Sequence, residues 1–211
     1  FMFTNGVPLA QIDNENDSKL HTLVLRNDFN SNKLFKAVKV VRRDNEDVPE
    51  DSNGDANFTS DQRQFQNETL SAHHFYRARH CAQPLQLNDT LSRSAQDFAQ
   101  QLADTNQFHH SGTEGVGENL YMASNSNGIK INGSAAVTAW YNEIKDYNFN
   151  NGSFSMATGH FTQVVWIKTR SIGVGIAYGN EDTSVYVVVR YSPPGNYEGQ
   201  YQENVRPEGS C

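Results

Sequence analysis

Apolar positions recur along this chain in two different periods. In Asn67–His80, Leu70, His74, Ala78 and Cys81 fall on related positions of a helical wheel, which predicts a first helix. Pro84 closes that element, because proline biases the preceding backbone away from helix. Leu91, Ala95, Phe98, Ala99 and Leu102 repeat at helical spacing, with Asn88 or Asp89 as the cap and an end near Asn106. A third helix is predicted over Ser134–Tyr147, its apolar side made by Val137, Trp140, Tyr141 and Ile144. After Trp166 the period shortens. Ser171–Tyr178, with Ile172, Val174 and Ile176 separated by small residues, and Val185–Tyr191 read as strands flanking a turn at Gly179–Thr183. Helices with a short antiparallel sheet predict an α+β fold.

Between these elements the chain is polar and rich in glycine. His109-His110-Ser111-Gly112 opens a loop, and Gly112, Gly115 and Gly117 disfavour regular helix before Glu118. Asn125–Gly133 and Asn148–Ser155 are further loops. The N-terminal stretch differs in character. Lys19–Arg43 carries Lys19, Arg26, Lys33, Lys36, Lys39, Arg42 and Arg43 against Asp28, whereas Asp44–Asp61 carries seven acids with Pro49 and Gly54. The expected organisation is an appendage and acidic linker over residues 1–65, then one domain over residues 66–211.

The 211 residues carry a formal charge of −7, and the predicted domain holds no long run of Lys or Arg. A nucleic-acid groove is therefore not expected. No apolar stretch is long enough to cross a bilayer. Two cysteines, Cys81 and Cys211, cannot build a disulfide framework; they could bridge, stay free or join two chains, and a free Cys81 is the simplest expectation. Sequons at Asn16, Asn57, Asn67, Asn88, Asn132 and Asn151 point towards the secretory pathway, but a chain this rich in Asn meets the pattern by chance, and the residues leave the compartment open.

One segment concentrates candidate chemistry. Gly159–Trp166 places His160 and Gln163 among Phe161, Val164, Val165 and Trp166, so apolar anchors can hold a histidine at the edge of a cleft. Three other groups join it: Gly117-Glu118-Asn119-Leu120, His110-Ser111, and Trp140-Tyr141-Asn142-Glu143.

These segments resemble the CAP superfamily, which includes cysteine-rich secretory proteins, antigen 5 and plant pathogenesis-related proteins of class one. Gly159–Trp166 is similar to one family signature. Arg190–Asn196 is similar to the second, with Ser192 where Asn or Asp is usual, and His73–Arg77 is similar to the opening helix motif, with His74 where Asn is common. The likeness runs from about Gln66 to Pro207, and its appearance is that of the Golgi-associated, disulfide-poor branch. It implies a three-layer α-β-α sandwich. It also implies a cleft in which His110 and His160 bind a divalent metal, Zn2+ or another, with Glu118 and Glu143 supporting. Neutral imidazoles held by carboxylates suit that role. The resemblance further implies binding of lipid, sterol or an anionic membrane surface, and a homodimer. The alternative is a noncatalytic secreted protein-interaction or defence module. The implied location is extracellular or secretory, with the cytosolic face of Golgi membranes as alternative.

An enzyme is the weaker expectation. Ser111 and Ser155 lie outside any Gly-x-Ser-x-Gly elbow, and the order His, Glu, Glu, His is not the compact His-Glu-x-x-His metalloprotease pattern.

Overall fold

The computed structural model describes residues 58–211. The basic stretch at Lys19–Arg43 and all of the acidic linker before Phe58 lie outside the described residues. The linker was expected to run to Asp61, but the chain is already helical there. Helix α1 spans Ser60–Ala78 and is capped by Thr59, whose hydroxyl accepts from Gln62 N while the Gln62 side chain accepts from Thr59 N. This capping box moves the helix start well upstream of Asn67, and it lets Phe65 and Gln66 reach the interior.

Helix α2 spans Asp89–Thr105. Asn88 caps it through Leu91 N, and Asn106 ends it in the left-handed conformation at φ 52°. A two-residue strand β1, Gln86–Leu87, precedes it, and strand β2 follows at Gly117–Ser124. Helix α3 is shorter than its sequence period suggests: it spans Gly133–Tyr141 and tightens into a 3-10 turn at Asn142–Asp146. Helix α4 is Gly159–Val165. Strands β3, Ser171–Gly179, and β4, Ser184–Ser192, form the expected hairpin, and a single turn α5, Tyr201–Asn204, ends the regular structure.

The sheet order is β1-β3-β4-β2. The three long strands are antiparallel, as expected, and the short β1 adds a parallel edge to β3. Alternation along the strands sorts residues between two layers. Ile172, Val174 and Ile176 of β3, with Val185, Val187, Val189 and Tyr191 of β4, join the core that contains Phe65, Val137, Trp140, Phe161 and Trp166. Tyr186, Val188 and Ala177 face the other way, against Ala95, Phe98, Ala99 and Leu102 of α2. The small residues of β3 have a physical purpose here: a Cβ on Gly173 would sit 2.1 Å from the Leu91 carbonyl carbon, and one on Gly175 would sit 2.4 Å from that of Ala95. Helix α2 thus lies directly on the sheet, and the result is an α-β-α sandwich.

Cys81 and Cys211 are joined, with Cα atoms 5.5 Å apart. This corrects the expectation of a free Cys81. The spacing of 130 residues gave no hint of proximity, but the tail folds back on the end of α1. Gly209 N donates to Arg79 O at 3.0 Å, and Arg79 pairs with Glu208 at 2.9 Å.

Candidate functional site

Three sequence segments that are far apart in the chain close on one another. Helix α1 projects His73 and Arg77, four residues apart, into the interior. The Arg77 guanidinium donates to the carbonyls of Gln83, Val164, Trp166 and Thr169. It thereby satisfies the C-terminal end of α4 and the turn beyond it. Burial lowers its pKa to about 10, which leaves it charged at neutral pH. His73 Nδ1 donates to Thr69 O and its Nε2 accepts from the Tyr191 hydroxyl, at 2.8 Å each, and burial pushes its pKa down to about 3. His74 bonds the Leu85 backbone. Both histidines are packing and hydrogen-bonding groups.

The segment after β4 holds α4 from its other side. Asn196 donates to Gly159 O at 2.9 Å and accepts from the Thr162 hydroxyl at 2.6 Å. Gly195 N donates to Gln163 Oε1 at 2.8 Å. Helix α4 is therefore fixed at both ends by residues from α1 and from the loop after β4.

His160 lies in the first turn of α4. Thr158, the residue before the helix, gives no side-chain cap. Glu143 takes that place. Its Oε2 accepts from His160 N at 3.0 Å and Phe161 N at 3.1 Å, and its Oε1 lies 2.7 Å from His160 Nδ1. The break from α3 into a 3-10 turn positions Glu143 for this, which accounts for the early end of α3. The Trp140 ring stacks on the His160 imidazole at 6.2 Å, and its Nε1 donates to Leu120 O.

His110 and Glu118 make a second pair, with Nδ1 to Oε1 at 2.9 Å. Glu118 also accepts from Ser111 N at 2.9 Å and from the Ser111 hydroxyl at 2.6 Å, and Arg190 Nε lies 3.6 Å from its other oxygen. The His110 side chain is 63% exposed, whereas Glu118 is 9% exposed. Asn119, the next residue on β2, reaches the first pair: its Nδ2 donates to His160 O at 3.1 Å and to the Tyr191 hydroxyl at 3.2 Å.

The four expected residues therefore form two His–Glu pairs joined through Asn119 and Trp140. Among the described residues, no group of three or more His, Cys, Asp or Glu side chains is placed to hold a metal ion. The donor chemistry of the pairs nonetheless fits one. Each carboxylate holds Nδ1, which sets the tautomer that presents a bare Nε2, and among the described residues neither Nε2 has a hydrogen-bond partner. Sequence reasoning did not single out Asn119, Arg190 or Asn196. The only available signal was that Arg190 and Asn196 bound the second signature, and Asn119 lies inside the Gly117–Leu120 group.

A helix-flanked sheet whose recurring segments close around paired His–Glu contacts defines the class of small α-β-α sandwich domains. The family model for CAP, the cysteine-rich secretory protein family, matches residues 70–191, and the chain belongs to that family. It is 43% identical over 150 residues to human Golgi-associated plant pathogenesis-related protein 1, covering 69% of this chain and 94% of that one. It is 37% identical over 124 residues to salivary antigen-5 of Dipetalogaster maximus, covering 53% of this chain and 49% of that one. The chain thus spans nearly all of the first relative and about half of the second. Among solved structures, NaASP2 with Zn2+ superposes with a TM-score of 0.54 at 22% identity, covering 72% of this chain and 90% of that one, a likeness of fold. The family and the disulfide agree on an extracellular or secretory-pathway location.

Proposed function

We propose that this chain is a noncatalytic extracellular recognition module of the defence or host-interaction kind. One observation carries the reading: both carboxylates of the site are committed to local donors. Glu143 accepts from two backbone amides and an imidazole, and Glu118 from a backbone amide, a hydroxyl and an imidazole beside Arg190. A carboxylate so engaged rigidifies its surroundings, and to act as a general base it would have to give up those bonds. Exposed apolar side chains adjoin these elements along the chain. Phe108 precedes the His110 loop, Phe154 and Met156 precede α4, and Tyr197 follows Asn196; Met156 is 87% exposed. Exposed apolar groups beside polar ones are the composition of a protein-binding face.

The test uses the purified full chain against arrayed extracellular proteins and, separately, phosphatidylcholine vesicles with and without phosphatidylserine. Saturable protein binding is expected, lost in Phe154→Ser/Met156→Ser and kept in Asp97→Asn on α2. Binding confined to vesicles, or protein binding indifferent to Phe154→Ser/Met156→Ser, rejects the reading. Sedimentation of the same samples reads self-association.

A second reading rests on separate observations. A cavity of about 600 Å³ has Phe65, Ile129, Ile131, Ile176 and Ala177 in its wall among the charged Asp61, Glu68, Lys130 and Asp182, a mixed lining that suits an amphipathic ligand such as a fatty acid. The bare Nε2 atoms of His110 and His160 would hold a divalent cation, leaving other positions to water. Zinc titration of the wild type and of His110→Ala/His160→Ala tests the ion. Affinity should fall in the variant and on acidification, since a ligating imidazole must be unprotonated; equal affinity in both proteins removes the assignment.

A further inference from the structure

Two of the sequons identified in the sequence are in direct contact. Asn67-Glu68-Thr69 lies on α1, and Asn132-Gly133-Ser134 opens α3, with Glu68 and Gly133 65 positions apart. Gly133 N donates to Glu68 Oε2 at 2.9 Å, and the Thr69 hydroxyl lies 3.2 Å from Gly133 O. The contact is close enough that a Cβ on Gly133 would stand 2.5 Å from Phe65 O and from Thr69 N. Glycine at the middle position of the second sequon is therefore what lets the two tripeptides meet.

Both asparagines remain open to solvent across this contact. Asn67 and Asn132 are exposed, and among the described residues neither Nδ2 donates a hydrogen bond. Asn132 uses only its oxygen, which accepts from Ala135 N and the Ser134 hydroxyl to cap α3. By contrast, Asn119, Asn180, Asn196 and Asn204 donate through Nδ2, and none of these begins a sequon. Asn67 and Asn132 also line one open groove of about 770 Å³, with Gln64, Glu68, Ser71 and Ser134.

We propose that Asn67 and Asn132 both carry N-linked oligosaccharide, and that the two glycans share and cover the α1–α3 groove. The donor class is an oligosaccharide activated as a polyprenyl diphosphate. A bond forms between Nδ2 and the anomeric carbon of the first sugar, and the bond from that carbon to the diphosphate breaks. The diphosphate leaves with the electron pair, and the amide nitrogen loses one proton. Transfer precedes folding, because the Thr69 hydroxyl is buried once α1 packs on Gly133. The consequence is that sugar covers the groove between α1 and α3. The proposal requires the secretory location but not the recognition reading, since it is read by mass and not by binding.

The experiment expresses the full chain through the secretory pathway of a eukaryotic cell. Peptide-N-glycosidase treatment in heavy-oxygen water marks each glycosylated asparagine as a labelled aspartate, and peptide mapping separates these two from the remaining sequons. Asn67→Gln removes one sequon on an exposed helix face, and Ser134→Ala removes the other while keeping the Asn132 cap. Each variant should lose one glycan, and the double variant two. In radical footprinting, labelling of the 64–72 peptide should rise after the sugars are removed. Secreted protein with either asparagine unmodified overturns the pairing. Labelling of 64–72 that does not change on deglycosylation overturns the coverage of the groove.

Discussion

Glu143 caps the helix that carries His160, its two oxygens taking Nδ1 of that histidine at 2.7 Å and the amides of His160 and Phe161 at 3.0 and 3.1 Å. The carboxylate supplies what Thr158 does not, a side-chain acceptor at the start of α4. Glu143, expected from the sequence to support the cleft, does so as the cap of α4. Glu143→Ala should cost roughly 2 kcal/mol, because two amides lose their acceptor. Glu143→Gln keeps an acceptor oxygen and should cost less. Urea denaturation of both variants checks the order, and equal stability with the wild type would remove the capping role.

Arg77 is the buried counterpart on the other end of α4. Its replacement by Met keeps the aliphatic bulk but leaves the Gln83, Val164, Trp166 and Thr169 carbonyls without their donor. The expected loss is about 3 kcal/mol. Arg77→Lys should fall between, since a single ammonium cannot span the same four acceptors. Denaturation midpoints, compared at constant slope, read both.

The disulfide closes nearly the whole folded domain, with a sequence separation of 130. Chain-entropy reasoning puts its contribution at about 4–5 kcal/mol for a loop of this size. Reduction, or Cys81→Ser/Cys211→Ser, should therefore lower the unfolding free energy read from urea denaturation by about 4–5 kcal/mol while leaving a cooperative transition. The core does not depend on the bridge, because the tail is also held by Gly209 on Arg79 and by the Arg79–Glu208 pair. Loss of cooperativity on reduction would contradict this.

Acid should destabilise the domain through a buried histidine. His73 is neutral in the fold, where burial sets its pKa near 3, while in the unfolded chain it titrates at its ordinary 6.5. The unfolded state therefore binds the proton first. The stabilising effect is complete above pH 6.5 and declines as pH falls towards 3, by up to about 1.4 kcal/mol per pH unit. Burial shifts His80 in the same direction. Asp89 and Glu68 have folded pKa values already below the ordinary carboxylate range, so their losses begin lower, and the window from 6.5 to about 4.5 belongs to the histidines. Stability against pH should be flatter there in His73→Gln. An unchanged slope would mean that another group controls the response.

The sequence by itself determined the layers. Helical spacing from Leu91 to Leu102 and strand alternation from Val185 to Tyr191 are local properties, and they specify which faces must be buried whatever the rest of the chain does. The motifs around His73, His110, Glu118, Glu143 and His160 were legible for the same reason: each is a short run of residue types with chemistry of its own. Tertiary structure decided what those residues do. Whether Glu143 faces solvent or caps α4 depends on the tightened turn at Asn142–Asp146, and helical periodicity does not register that change. The four polar residues became two pairs, and not one cluster, because Glu118 is drawn to the His110 loop and Arg190 while Glu143 is committed to α4. The Cys81–Cys211 bridge and the meeting of Asn67-Glu68-Thr69 with Asn132-Gly133-Ser134 lie beyond any local pattern. Each joins chain segments 65 or more residues apart, and only the packing of α1 against α3 and of the tail against α1 brings them within reach.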